Sequence, residues 1–445
     1  MATTGLATAQ FTSVLKTLYL DPLEDAVVRA SAMLHRIEKN SEDIEGNFAY
    51  VAIETARNPS VGFREDQTGE GPHLPPAGRG SYANVTFNMG FHYLRGQISG
   101  PVMRRSKSTK GSFTKALDVE MRNLIKTGPE DLNRKLWSSG NGRGGTPYVN
   151  TTQLTSTLIN FDSRDYFSLK IGDRVHFATE AALGGIMPAQ GTTVVAITRD
   201  TAANTHAVEL AAAAGTTLIA TTGCYFGGAE AVAAAKSSWG QTMHGIPDAV
   251  NDGNMGSELQ QVGVAGEYLG NSLNFGGQTR AATLWWQSQR LGSSGTLRPL
   301  TITLLSQAWQ TARFKGGADP ESLEIYTNPG LFTTAGLLVI GDRRLSDSMK
   351  LVSGFTSMDF NGSPIMVDVD APRDIFWFLQ MKDLMLLTQG GYEFLDDDGS
   401  TLRVVANRDA WEFTLARDIQ LGARGCHRHV ILDDIESKFH VETDI

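Results

Sequence analysis

The stretch from Arg57 to Gly100 constrains this chain more than any other, because it does not read as part of a compact domain. It opens on Arg57-Asn58-Pro59-Ser60-Val61-Gly62 and passes Gly69, Gly71, Pro72, Pro75, Pro76, Gly78 and Gly80, with few apolar residues before Tyr82. From there Val85, Phe87, Met89, Phe91 and Tyr93 alternate with Thr86, Asn88, Gly90 and His92, the period of two that marks a half-buried strand. A structureless loop of this length inside a globular domain counts against the assignment. An extended two-stranded arm that reaches over a neighbouring subunit removes the conflict. Val85, Phe87, Met89, Phe91 and Tyr93 are then the expected inter-subunit face.

With 445 residues the chain is long enough for two or three hydrophobic cores. A net charge of −9 argues against a nucleic-acid-binding footprint, which needs a basic stripe. The nearest approach, Arg104, Arg105, Lys107 and Lys110, reads as a solvated face at a helix entrance. Cys224 and Cys426 stand far apart, which excludes a disulfide framework or a paired-cysteine metal site and fits a reducing cytoplasm. No apolar run approaches the roughly 20 residues that span a bilayer. Met1-Ala-Thr-Thr-Gly5 lacks the basic start and apolar core of a leader.

Residues 11–39 read as helical, with Val14, Leu15, Leu18 and Tyr19 on one stripe and Leu23, Ala26, Val27, Ala30 and Leu34 on another. After the arm, Phe113, Leu117, Met121, Leu124, Leu132 and Leu136 define one apolar face of a long helix. Pro129 predicts a kink there, or a restart at the Thr127-Gly128-Pro129-Glu130 capping box. Residues 149–235 change texture to Thr, Ala and Gly with short β-like runs, and predict a separately inserted β-barrel or sandwich. Beyond it the chain is mixed. Leu304, Leu305, Ala308, Trp309 and Ala312 form a helix face ended by Gly316-Gly317, and Leu323–Thr327 is a strand. Asn328-Pro329 caps the next helix, and the last apolar element runs from Trp411 to Leu415.

Motifs of chemistry are scarce. Gly140-Asn-Gly142-Arg-Gly144-Gly145 has the spacing of a dinucleotide fingerprint, but it follows a helix and runs into Thr146-Pro147, so it reads as a loop. His427-Arg428-His429 near Asp433-Asp434 would place two imidazoles on one face if it were a strand, yet no fourth ligand is in sight. Asp396-Asp397-Asp398-Gly399 lacks the sixth-position glycine and closing glutamate of a calcium loop and reads as a turn. No catalytic residue, cofactor or metal is expected.

Taken in order, these segments resemble a tailed-bacteriophage major capsid protein of the Hong Kong 97-type fold. The hairpin resembles that family's E-loop. Gly111–Met121 running on to Asp131–Leu136 resembles its spine helix. Asp319–Pro329 resembles the axial helix-strand-helix, and Gly362–Asp368 with the Asp397-Asp398-Gly399 hairpin resembles the return to the peripheral domain. The resemblance implies an α+β chain arranged as N-terminal arm (1–50), E-loop hairpin (51–105), spine helix (106–148), inserted β-barrel-like domain (149–235), connecting region (236–300), axial domain (301–380) and return to the peripheral domain (381–445).

It also implies pentamers and hexamers tiling an icosahedral shell around double-stranded DNA. Expected partners are a separate scaffolding protein, a portal and a decoration protein. The expected location is the virion, after synthesis in the host bacterial cytoplasm. No lysine lies between Arg57 and Arg105, so the isopeptide cross-linking of some members, which uses an E-loop lysine, is not expected. An encapsulin-like compartment and an α/β enzyme with a β-module are the alternative readings.

Overall fold

The computed structural model describes residues 32–62, 77–102, 112–138, 143–145, 157–162, 169–179, 187–200, 205–212, 222–226, 242–252, 274–280, 283–293, 296–342, 349–350, 356–396 and 399–437. The stripes expected before Ala30 lie outside these residues. Among the described residues of the predicted N-terminal helix, Ala32–Arg36 is helical, and Glu38–Asn40 is a strand instead. It pairs in parallel with Leu384–Leu387, and that tertiary pairing overrides helix propensity. Met33, Leu34 and Ile37 are buried in the main core.

The arm is a real hairpin. Strand β1 (Phe48–Ala56) pairs antiparallel with β2 (Ser81–Asn88), Val51 opposite Val85 and Ala49 opposite Phe87. Strand β3 (Gly90–Ser99) does not continue the hairpin. It pairs over ten residues with β4 (Ala410–Ala423), a strand far longer than the expected Trp411–Leu415. Hydrophobic alternation in β4 fades after Leu415 because its end, from Ile419 to Ala423, is buried on both faces.

Helix α1 (Ser112–Leu136) is one 25-residue helix with Pro129 inside it, neither restarted nor capped at Thr127. The Thr127 hydroxyl donates back to the Asn123 carbonyl at 2.9 Å, a bond within the helix. Met121, Leu132 and Leu136 are buried and Leu124 packs against the same core, as the apolar face predicts.

The inserted module is a six-stranded antiparallel sheet in the order Arg143–Gly145, Thr222–Phe226, Arg174–Thr179, Met187–Asp200, Thr205–Leu210, Leu158–Asp162. Its first strand lies before residue 149 and uses the glycine-rich loop. Among the described residues no pairing joins the first strand to the last. Ile159, Phe161, Val175, Phe177, Val194, Val208 and Cys224 give it a core of its own.

The third unit is a seven-stranded mixed sheet: Gln289–Leu291, Val430–Leu432, Phe376–Gln380, Leu323–Thr327, Ser363–Val367, Thr356–Phe360, Met349–Lys350. The two strands at one edge, Gln289–Leu291 and Val430–Leu432, come from before residue 301 and after residue 380, so the sheet draws on chain from both sides of the expected axial span. Leu323–Thr327 and Phe376–Gln380 are buried at every position. Such runs belong to a sheet covered on both faces. Ile325, Phe376 and Phe378 share a core with Leu305 and Ala308 of α2 (Ile302–Gln310) and Leu331 and Ala335 of α3 (Pro329–Asp342). Tyr326 and Trp377 meet Trp137, just past α1, with ring centroids 6.0 Å apart in each case. Asn328 caps α3 through Leu331 N–H at 3.0 Å. Gly316-Gly317 follows a π-helical turn, Thr311–Lys315, at the end of α2.

Candidate functional site

The five residues expected on the inter-subunit face divide between the two sides of the chain. Val85 and Phe87 are fully buried within their own subunit, and Met89 is half-buried. Phe91 and Tyr93 are 53% and 55% exposed. The cause is a phase slip at Met89-Gly90. Residues 82, 84 and 88 face out before it, and residues 91, 93, 95 and 97 face out after it. A one-residue slip turns every later side chain to the other face.

The buried half is an anchor. Phe87 meets Phe275 edge-on at 5.1 Å, and Phe275 stacks on Trp286 at 6.0 Å. Thr86 N–H donates to the Gly276 carbonyl at 3.1 Å. Gly276 has φ +65°, and a Cβ there would sit 2.0 Å from Val85 Cγ1. Only glycine fits both the left-handed backbone and the approach of the hairpin.

The exposed half is aromatic. Phe91 and Tyr93 stack at 6.2 Å, and Phe48 and Tyr50 on β1 lie 6.3 Å apart. Tyr82, 73% exposed, shares the outer face of the hairpin, since it pairs with Glu54 two steps from Tyr50. The sequence reading missed Phe48, Tyr50 and Tyr82. The signal for Phe48 and Tyr50 is the Phe48-Ala-Tyr50-Val alternation at the end of the expected N-terminal arm.

Behind β3 lies a polar lock. His92 Nδ1 is 2.7 Å from the Tyr392 hydroxyl, and Nε2 is 3.2 Å from Asp131 on α1. Arg134 pairs with Asp131 and, at 2.7 Å, with Asp173 of the inserted module. Asn133 Nδ2 donates to Asp368 at 2.9 Å and Asp370 at 2.6 Å, and Lys170 lies 3.6 Å from Asp370. The end of α1 therefore ties the hairpin base, the module and the seven-stranded sheet together. Burial opposes the charge on Asp131, but Lys135, His92 and Arg134 outweigh it and hold the carboxyl well below its usual range.

The groups singled out for chemistry lie in structural settings. His427 sits in a 3-10 turn, Cys426–Arg428, and not on a strand, so the expected shared face does not form. His429 is fully buried and its Nδ1 accepts from Gln380 N–H at 3.1 Å. Asp433 pairs with Arg290 at 2.5 Å. Cys426 is buried and its thiol is pushed up to about 11, first by desolvation, which makes it a poor nucleophile. Among the described residues no three His, Cys, Asp or Glu side chains gather as a metal site. None of the described helices is long and apolar enough to cross a membrane.

No family model and no curated protein matches this chain. Solved structures similar to it include the cyanophage A-1(L) capsid asymmetric unit, at 13% identity and a TM-score of 0.47, covering 91% of this chain and 92% of that one. The capsid of a native GTA particle is similar at 9% identity and a TM-score of 0.43, covering 92% and 89%. The holo-SrpI encapsulin complex from Synechococcus elongatus is similar at 8% identity and a TM-score of 0.44, covering 94% and 92%.

Proposed function

We propose that this chain is a structural shell subunit of the Hong Kong 97 type, which assembles as pentamers and hexamers into an icosahedral capsid enclosing phage DNA. The observation that carries the reading is that Val85 and Phe87 lock the arm into its own core while aromatic side chains stay exposed, Phe48, Tyr50 and Tyr82 on the hairpin's outer face and Phe91 and Tyr93 on the adjoining strand β3. A monomeric enzyme has little use for so many exposed rings, whereas a subunit that covers its neighbour does. Fully burying an aromatic side chain contributes about 1.5–3 kcal/mol, so half-exposed rings contribute about half as much each. Weak contacts of this size permit error correction, and closure of many together stabilises the finished shell. The charge of −9 suits a container that must release a polyanion. Scaffolding, portal and decoration proteins would be its further partners, and the virion its location.

The test is the paired substitution Phe91→Ser with Tyr93→Ser. The folded subunit should keep its thermal stability to within about 1 kcal/mol, since both side chains are exposed. Assembly followed by light scattering should be lost or slowed at least tenfold. Wild-type assembly in the variant would remove this face from the contact.

A further inference from the structure

The arm is the acidic part of this chain. From Ser41 to Asn88 the sequence holds seven carboxylates, three arginines and no lysine, a net −4 that is close to half of the chain's −9. Two of these acids stand on the aromatic outer face of the hairpin. Glu45 lies opposite Phe48 and Glu54 opposite Tyr82, and directly opposed residues share one face of a sheet. Both are exposed, and among the described residues neither has a basic partner. Rings framed by unpaired carboxylates fit a surface that is both apolar and basic.

The chain has such a surface at the end of α2. Gly316 N–H donates to the Thr311 carbonyl, five residues back, at 3.0 Å, and on the π-helical turn so closed Phe314 is 78% exposed. Turns of this kind are frequent at functional sites. The Arg313 guanidinium lies over the Trp309 ring at 4.6 Å and over the Phe314 ring at 5.7 Å, which holds Phe314 in place before any contact is made. A side chain already ordered loses less entropy on docking. Among the described residues neither Arg313 nor Lys315 has a carboxylate partner. Other charges at this end are engaged: Lys382 by Asp319 at 2.7 Å with Glu321 near it, and Arg428 by Asp383 at 2.8 Å. The Cys426–Arg428 turn touches both this turn and Leu284–Trp286, where Leu284 adds exposed apolar surface.

We propose that the outer face of the arm docks on the Arg313-Phe314-Lys315 turn of a second copy of this chain. Phe314 enters among the rings of Phe48, Tyr50 and Tyr82, while Arg313 and Lys315 meet Glu45 and Glu54. The inference rests on the shell reading and names the surface that the arm covers. Within one subunit both patches are exposed, so they do not cover each other. Because the two patches differ, the contact is heterologous, and repeating it with a closing rotation makes a ring.

The experiment follows assembly of the full chain by light scattering, with the wild type alongside. Arg313→Glu with Lys315→Glu should slow assembly about tenfold, and so should Glu45→Lys with Glu54→Lys, since each sets like charges across the contact. The quadruple variant restores opposite charges and should return to within about threefold of the wild type. Damage to folding would instead accumulate in that variant. Double variants that assemble at the wild-type rate, or a quadruple variant no faster than either, overturn the docking and leave the shell reading in place. A wild-type chain that does not assemble, alone or with a candidate scaffolding protein, removes the shell reading and this contact with it.

Discussion

At the scale of single residues, the buried ionisable groups make the stability of this chain depend on pH. His429 is enclosed, and desolvation first, then the charges of His427, Arg280 and Arg428, drives its imidazole from 6.5 to about 3. The unfolded chain therefore binds a proton that the folded chain refuses. Stability from this group is complete above about pH 6.5 and falls by about 1.4 kcal/mol per pH unit below it, levelling off near pH 3. Chemical denaturation should show a loss of about 2 kcal/mol between pH 6.5 and 5. The His429→Asn variant, whose side-chain oxygen can still accept from Gln380 N–H, should flatten that slope. An equal slope in the variant would place the titration elsewhere. His427, also lowered by burial, adds in the same direction.

At the scale of elements, α1 is the part on which the others converge. Arg134 joins it to the module through Asp173, whose carboxylate also accepts Lys170 N–H at 2.8 Å. Replacing Arg134 by Met leaves two carboxylates facing each other and should cost about 1–3 kcal/mol. Hydrogen exchange should rise across 169–174 while β4 keeps its protection; uniform exchange across both would show that the pair does not hold the module. The course of α1 and its buried face was legible in the sequence, because leucines at helical spacing need no tertiary knowledge. Its continuity through Pro129 was not, since packing against β3 and the sheet overrides the local cost of a proline. The hairpin strand was legible as a period of two. The slip at Met89-Gly90 was not, because Val85 to Tyr93 reads as one unbroken alternation and only the separate pairing of β2 with β1 and β3 with β4 sets the phase. The pairing of Glu38–Asn40 with Leu384–Leu387 joins segments more than 340 residues apart, and nothing local encodes it.

At the scale of the whole molecule, the three cores among the described residues are linked by polar contacts at one end of α1, while exposed aromatic side chains stand outside all of them. The inner face of the arm belongs to the main core, so the chain can fold with its arm seated and use the arm's outer face afterwards. That order suits the proposed shell subunit, since premature burial of the outer face would close off the neighbour's site. The most direct measurement is negative-stain electron microscopy of the purified full chain, alone and with a candidate scaffolding protein, with light scattering on the same samples. Closed shells or discrete pentamers and hexamers are the predicted result. A uniform monomer or dimer under both conditions would contradict it.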